Sequence, residues 1–550
     1  MKKARNFCFK LLIFFCMLVF FSCEKDGQVL FTVNAANAQL FAKGSEAQEG
    51  TIDFSKPKKL EYRFADSFAA PSNSSLEIEY DIIPPLQTGN ENCSLVLKMG
   101  ENSWQLPTEA GEIRYSLPID ESFNGRFSII LETGKDDKNA ESVFKIRSVS
   151  FSERRFGFYT DESGRFFITP FVYRQDDSYV IDLPSSFWPD PLSLAIEVRL
   201  SSASESDTRN NIGGQAALEF AGYSIKTYPG IQAIYISPAL FFTKGQLVYY
   251  GEETDSFLLS ETGGAAVFPV PINTDPALVL DWPIRYWRSP DYEIFRWSNF
   301  PELLIFDFAD YAAQDRMLKR LAFFVEKAGF RGRLAPDSEI ANLHAWNAHD
   351  YRAEDLARFF AAARRTNFPL LDDERELERI LLDNGIILED QGGIAAGSGG
   401  IISISRQSSE YLRYRFMAHE GFHGLFFIDE DFRDFSRRRW AQLSSPAKRF
   451  IVSFFEYQQY DVNDEYLLVN EFMAHVLQQA VSEAADYFGS YIPRQLESTW
   501  RVSALPQKDE ATGTWPVLSA AFAAEARAFS EYVNRRWSLA AGRSWSLRVD

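Results

Sequence analysis

The stretch RYRFMAHEGFHGLFFID, residues 413–429, decides how this chain is read. His419 and His423 are four positions apart, so on a helix both imidazoles leave one face and can converge on a single ion. Leu412, Phe416 and Phe426 share that stripe, which predicts a helix buried along that side. Glu420 stands next to the first histidine, placed to take a proton from an ion-bound water without itself ligating. The whole chain has only five histidines, so chance is a poor account of the spacing. A histidine on an apolar stripe is nevertheless more often a packed core residue, and a third ligand has to be found.

Three acids compete for that place. Asp429 and Glu430 follow directly, but the apolar run Leu425–Ile428 carries the helix past the ion. Glu471 lies further on, in DEYLLVNEFMAHVLQQA (464–480), which reads as a second amphipathic helix with Leu467, Leu468, Phe472, Ala474 and Leu477 around the glutamate. A carboxylate in such surroundings needs a counter-charge, because burying it alone is very costly. A divalent cation supplies one.

An HExxH pair completed by a glutamate from a later helix resembles the gluzincin group of zinc metallopeptidases. Asn470-Glu471 looks like the start of that group's glutamate helix. The resemblance spans residues 400–490. It implies a zincin-like fold in which His419, His423 and Glu471 hold Zn2+, leaving a fourth position for water. It further implies Glu420 as general base in the hydrolysis of peptide bonds, whether within chains or at their ends. In several members an aspartate four residues after the glutamate orients the first histidine. Here that position is His475, which would orient that histidine, stabilise the oxyanion, or do neither. Tyr460 and Tyr487 are further candidate donors to the oxyanion. Gluzincins also have a strand just before the metal helix against which a peptide lies. IISISR (401–406) stands there, making Ile401, Ile402, Ser403 and Ile404 candidate substrate-binding residues, although an ordinary sheet strand reads the same way.

Working outward, Asp310–Ala328 has apolar residues at helical spacing and a stop at Gly329, Leu356, Phe359, Phe360 and Ala363 mark another helix, and Leu377, Ile380 and Leu381 a third. The glycine-rich QGGIAAGSGG (391–400) lacks the Lys-Ser/Thr pair of a phosphate loop and reads as a tight turn. His344 and His349, in HAWNAHDY, show no helical ligand face. They read as loop packing, with Asp350 as a cap, over a second metal site.

Upstream of residue 298 the texture is different. Runs such as 75–82, 93–99, 112–119, 126–133 and 143–151 are β-branched or aromatic and separated by turn residues, and the pattern continues to residue 251. The fold expected is an α+β multidomain chain: a β-sandwich domain at 23–151, a second β-rich domain at 152–297, and a mainly helical zincin-like domain with a small sheet at 298–550. The many aromatics of the strands read as core.

The amino terminus has a basic start, an apolar run from Leu11 to Phe21, and Ser22-Cys23 before an abrupt polar turn. Eleven apolar residues are too few to span a bilayer as a helix and suit a secretory segment. The junction resembles a bacterial lipobox, implying a signal peptide at 1–22, lipidation of Cys23, and a membrane-anchored lipoprotein outside the cytoplasm. An ordinary signal peptide or short anchor is the alternative. Once residues 1–22 are removed, Cys93 is the last remaining non-lipidated cysteine and the formal charge moves from −19 to −23 by loss of Lys2, Lys3, Arg5 and Lys10. So acidic a chain disfavours nucleic acid as partner. The competing class is a membrane-anchored lipoprotein that binds glycan or protein on a non-catalytic peptidase-like scaffold.

Overall fold

The computed structural model describes residues 268–549 apart from 346 and 391, and upstream a series of shorter segments, nearly all strands, between residues 31 and 261. Residues 1–22, Cys23 and Cys93 lie outside the described residues. The protein is mixed α and β, with several sheets followed by a helical C-terminal region. Among the described residues, no helix is long and apolar enough to cross a membrane.

Two compact units emerge: Met1–Tyr173 with Leu258–Gly263, and Arg174–Phe257 with Gly264–Asp550. In the first, Ser74–Ile83 lies antiparallel between Val143–Glu153 and Glu112–Pro118 and is buried over almost its whole length. Phe166–Ile168 joins that sheet parallel to Glu112–Pro118, an exception to the antiparallel expectation. A second, wholly antiparallel sheet runs in the order Gln39–Ala42, Lys58–Arg63, Ser128–Thr133, Leu95–Met99, Asn102–Gln105. The expected boundary at 151/152 falls inside the Val143–Glu153 strand, whose pairing with Ser74–Ile83 continues to Glu153.

The second unit holds the HExxH segment. Its central sheet consists of β1 (Ile272–Thr274), β2 (Tyr292–Trp297), β3 (Leu303–Phe308), β4 (His349–Arg352) and β5 (Gly400–Ser405), in the order β1-β2-β3-β5-β4. The expected boundary at 297/298 therefore cuts between β2 and β3, which pair antiparallel. The chain's far end also departs from the expected partition, since Arg548–Val549 pairs with Tyr223–Ile225. Texture changes along the sequence marked where helices begin, but the sheet they pack on begins earlier.

β5 corrects a more consequential expectation. It pairs parallel with β3 on one side and antiparallel with β4 on the other, and all six of its residues are buried. Ile401, Ile402, Ser403 and Ile404 therefore offer no free edge to a substrate. A near-continuous apolar run is what a strand covered on both faces requires, and the end of the sheet order next to β5 is β4, with β1 at the other end.

The longer helices are α1 (Tyr311–Val325), N-capped by Asp310; α2 (Ala353–Thr366); α3 (Asp372–Asp383); α4 (Glu410–Ile428); α5 (Glu430–Gln442); α6 (Ser445–Tyr457); α7 (Glu465–Leu477), N-capped by Asp464; and α8 (Pro516–Trp537), of which α1, α2, α3, α4 and α7 fall on the sequence patterns above. The glycine-rich piece forms a hairpin, Ile387–Asp390 with Gly393–Ala396. α4 carries the HExxH motif and packs against β4, β5, α5 and α7. Its burial divides along its length and not by face. Leu412 and Phe416 are only half-buried, whereas every residue from Met417 to Phe426 is buried. At its first turns Arg413 makes a paired contact of 2.8 and 3.1 Å with the fully buried Asp307 of β3, which Arg406 also meets at 2.7 Å. Bidentate charge-assisted bonds of this kind hold orientation as well as distance.

Gly421 and Gly424 let the motif's backbone come close to its neighbours. A Cβ on Gly421 would lie 2.7 Å from Ser544 Cβ, and one on Gly424 2.8 Å from Leu303 Cδ1. We expect Gly421→Ala to lower stability by about 1–3 kcal/mol through overpacking. Ser544→Gly should recover part of that loss in the double variant. Denaturant unfolding of the four proteins checks this, and a fully additive pair of losses contradicts it.

Candidate metal centre

α4 brings His419 and His423 onto adjacent turns, and α7 brings Glu471 across to meet them. The two Nε2 atoms are 3.1 Å apart, with Glu471 Oε2 3.6 Å from His419 Nε2 and Glu471 Oε1 3.8 Å from His423 Nε2. Donors at the usual zinc distances of about 2.0–2.1 Å in a tetrahedral arrangement lie roughly 3.3 Å from one another. The observed triangle has that size. Glu471 Oε2 is buried with no hydrogen-bond partner, which is the state of an atom left for a cation. Burial lowers the pKa of His419 to about 3 and of His423 to about 4, so both rings are neutral and able to ligate at ordinary pH. Two imidazoles and one carboxylate suit zinc.

The site is rich in acid. Burial, then repulsion from Asp350 and Glu471, holds the Glu420 carboxyl well above its usual range, and Asp350 is raised by burial and by Glu326 and Glu471. Glu420 and Asp350 hydrogen-bond to each other, which requires one of them to carry a proton. Burial also raises Glu471. A dication among these groups supplies the counter-charge they lack.

The structure revises several expected roles. Asp350 does not cap a helix: it lies on β4, with its Oδ1 3.8 Å from His423 Nε2, and groups with Glu420 and His423 as a second ligand-sized set. His349 packs on Tyr351, whose hydroxyl lies 2.9 Å from its Nδ1. Asp429 caps α5 and pairs with Arg536, so it is no ligand. Tyr460 hydrogen-bonds to Glu471 and faces the acidic cluster, whereas Tyr487 bonds to Gln478, behind the histidines. His475 lies one turn beyond Glu471, its Nε2 3.8 Å from Glu471 Oε2.

Four contributors escaped the sequence reading. Gln478 Oε1 accepts from His419 Nδ1 at 3.1 Å, the orienting place left vacant by His475. Its position seven after Glu471, on the same helical face, was the available signal. The Asn470 carboxamide adjoins His423, and His423 Nδ1 and Asn470 Oδ1 are both buried and otherwise without a partner. Glu326 is brought in by an isolated bridge between Lys327 and Tyr460. Asp350 arrives through β4, whose four-residue span has no strong pattern. A small cleft reaches Glu471, lined also by Glu326, Asp350, Arg331, Arg352 and Tyr466.

No family model matches the chain, and no curated protein matches it. Among solved structures, one titled as the plant peptide RALF23 in complex with FER and LLG2 is similar over 42% of this chain and 89% of that chain, at 9% identity and a TM-score of 0.16. The ANX2 ectodomain from Arabidopsis thaliana is similar over 42% and 90% at 9% identity and a TM-score of 0.15. The ANX1 ectodomain from the same plant covers 45% and 85% at 10% identity and a TM-score of 0.15. Likenesses this low carry no argument about this chain.

Proposed function

We propose that this chain is a zinc-dependent peptidase of gluzincin type, carried outside the cytoplasm on a lipid anchor at Cys23. The observation that carries the peptidase reading is the meeting of His419, His423 and Glu471 from two helices, with Glu420 beside them. The anchor rests on the amino-terminal sequence alone.

Zinc, when bound, supplies Lewis acidity that brings the pKa of water to about 7 and opposes charge on the carbonyl oxygen. The protein's own groups do the rest. Glu420 takes the proton from water and returns it to the leaving amine, with Asp350 holding its carboxylate in place. Tyr460, with its hydroxyl at Glu471, is the donor best situated to stabilise an oxyanion there. The edge strand β4 gives an extended peptide a backbone to pair with, beside the centre and not behind it.

One observation favours the second reading. Asp350, Glu420 and His423 form a second ligand-sized set, with Asp350 Oδ1 3.8 Å from His423 Nε2. A cation held there takes Glu420 as a ligand and leaves no base to activate water. Zinc quantification on the purified full chain together with a peptide-library cleavage assay separates the two. The peptidase reading expects one zinc per chain and cleavage that a chelator stops and zinc restores. Absence of cleavage, with or without bound zinc, supports the binding lipoprotein and removes the peptidase reading.

A further inference from the structure

We propose that the Gln478 carboxamide sets the tautomers of two histidines in opposite senses, making His419 a metal ligand and turning the N–H of His475 toward the glutamate ligand. This rests on the zinc-site reading above. Gln478 caps the C-terminus of α7 and is buried, 7% exposed. Its two ends meet different rings: Oε1 lies 3.1 Å from His419 Nδ1, and Nε2 lies 3.2 Å from His475 Nδ1.

The orientation of that amide follows from chemistry, independently of how its oxygen and nitrogen are placed. His419 turns Nε2 toward His423 Nε2 and Glu471 Oε2, so Nε2 must offer the lone pair. The hydrogen then sits on Nδ1 and must meet an acceptor, which only the amide oxygen provides. The amide nitrogen is left facing His475 Nδ1, where it can only donate. His475 must therefore accept at Nδ1 and carry its hydrogen on Nε2. That N–H faces Glu471 Oε2 at 3.8 Å, the atom with no hydrogen-bond partner. Phe454 and Phe455 pack on the His475 ring, with centroids at 5.3 and 5.5 Å, and favour the neutral form. The Tyr487 hydroxyl bonds to Gln478 and holds the amide from behind.

His475 is thus a positioning residue for Glu471 and not a fourth ligand, and a glutamine does for this chain what a carboxylate cannot. A carboxylate accepts from both rings. It would draw the His475 hydrogen to Nδ1 and turn a lone pair toward Glu471.

The experiment is 15N nuclear magnetic resonance of the full chain with 15N-labelled histidine, tractable because there are only five histidines. Each ring is assigned by the signal lost in its own His→Gln variant. Metal-free native protein is expected to show His419 protonated at Nδ1 and His475 at Nε2. In Gln478→Glu, His475 is expected to move to Nδ1. Zinc titration of Gln478→Met, which removes both bonds, is expected to show affinity lower by about 10–100-fold. His475 protonated at Nδ1 in the native protein overturns the proposal whether or not the Gln478 variants fold. The tautomers are read without metal or substrate, so failed cleavage with correct tautomers refutes the peptidase reading alone, and wrong tautomers with intact zinc-dependent cleavage refute this inference alone.

Discussion

Glu420→Gln is expected to keep zinc bound while lowering peptide hydrolysis by on the order of a thousandfold. Glutamine preserves the side chain's shape in a position that is buried on all sides, and its amide can still donate to Asp350. It has no lone pair basic enough to take a proton from water. The metal should stay if the proposed set of His419, His423 and Glu471 holds it, because Glu420 is absent from that set, and its loss would point to the second set of Asp350, Glu420 and His423. Asp350, hydrogen-bonded to Glu420, is the one carboxylate placed to act in its stead. Asp350→Asn in the Glu420→Gln background should therefore remove residual activity. Zinc content and initial rates on one peptide substrate measure both effects. A Glu420→Gln variant that cleaves at the native rate removes Glu420 from the mechanism.

The second large effect concerns Glu471. Glu471→Gln is expected to abolish hydrolysis and, unlike Glu420→Gln, to lose the zinc. Zinc present at a thousand times its dissociation constant stabilises a folded protein by about 4 kcal/mol. Chelation should accordingly lower the melting temperature of the native protein by several degrees, whereas Glu471→Gln should show no shift. The pH dependence has a definite sign. Asp350, Glu420 and Glu471 all bind protons more tightly folded than unfolded. Their contribution to the metal-free fold is full below the ordinary carboxylate pKa and is lost as pH rises through their folded values. His419 and His423 run the other way, with stability lost as pH falls from about 6.5 toward their folded values of about 3 and 4. The melting increment given by zinc should therefore grow from mildly acidic to neutral pH, as carboxylates ionise and imidazoles remain neutral. Calorimetry with and without chelator across that range tests it, and an increment that shrinks toward neutral pH contradicts it.

Much of the candidate site could be read along the chain because its parts are local. HEGFH presents two imidazoles and a carboxylate on neighbouring turns of any helix it forms. The α7 glutamate stood out because an acid ringed by Leu467, Leu468 and Phe472 has no other partner in view. Residues whose role depends on strand order were not legible. Asp350 looked like a cap, and only the pairing of β4 with β5, His349 against Ser403 and Asp350 against Ile402, sets it at the centre. IISISR looked like an available edge for the same reason. Strand composition reports burial, but which neighbours flank β5 depends on segments 54 and 97 residues earlier in the chain, His349 against Ser403 and Leu303 against Gly400.

By itself the sequence determined five of the helices, α1 to α4 and α7, with the two histidines on α4 and the acid on α7, because helical geometry and the cost of a buried charge act within a few turns of chain. The tertiary structure decided that these faces meet at 3.1 to 3.8 Å, that β4 and not β5 ends the sheet on that side, and that Asp350, Asn470, Tyr460 and Gln478 surround the centre. Such contacts join residues far apart in sequence, and packing alone brings them within reach.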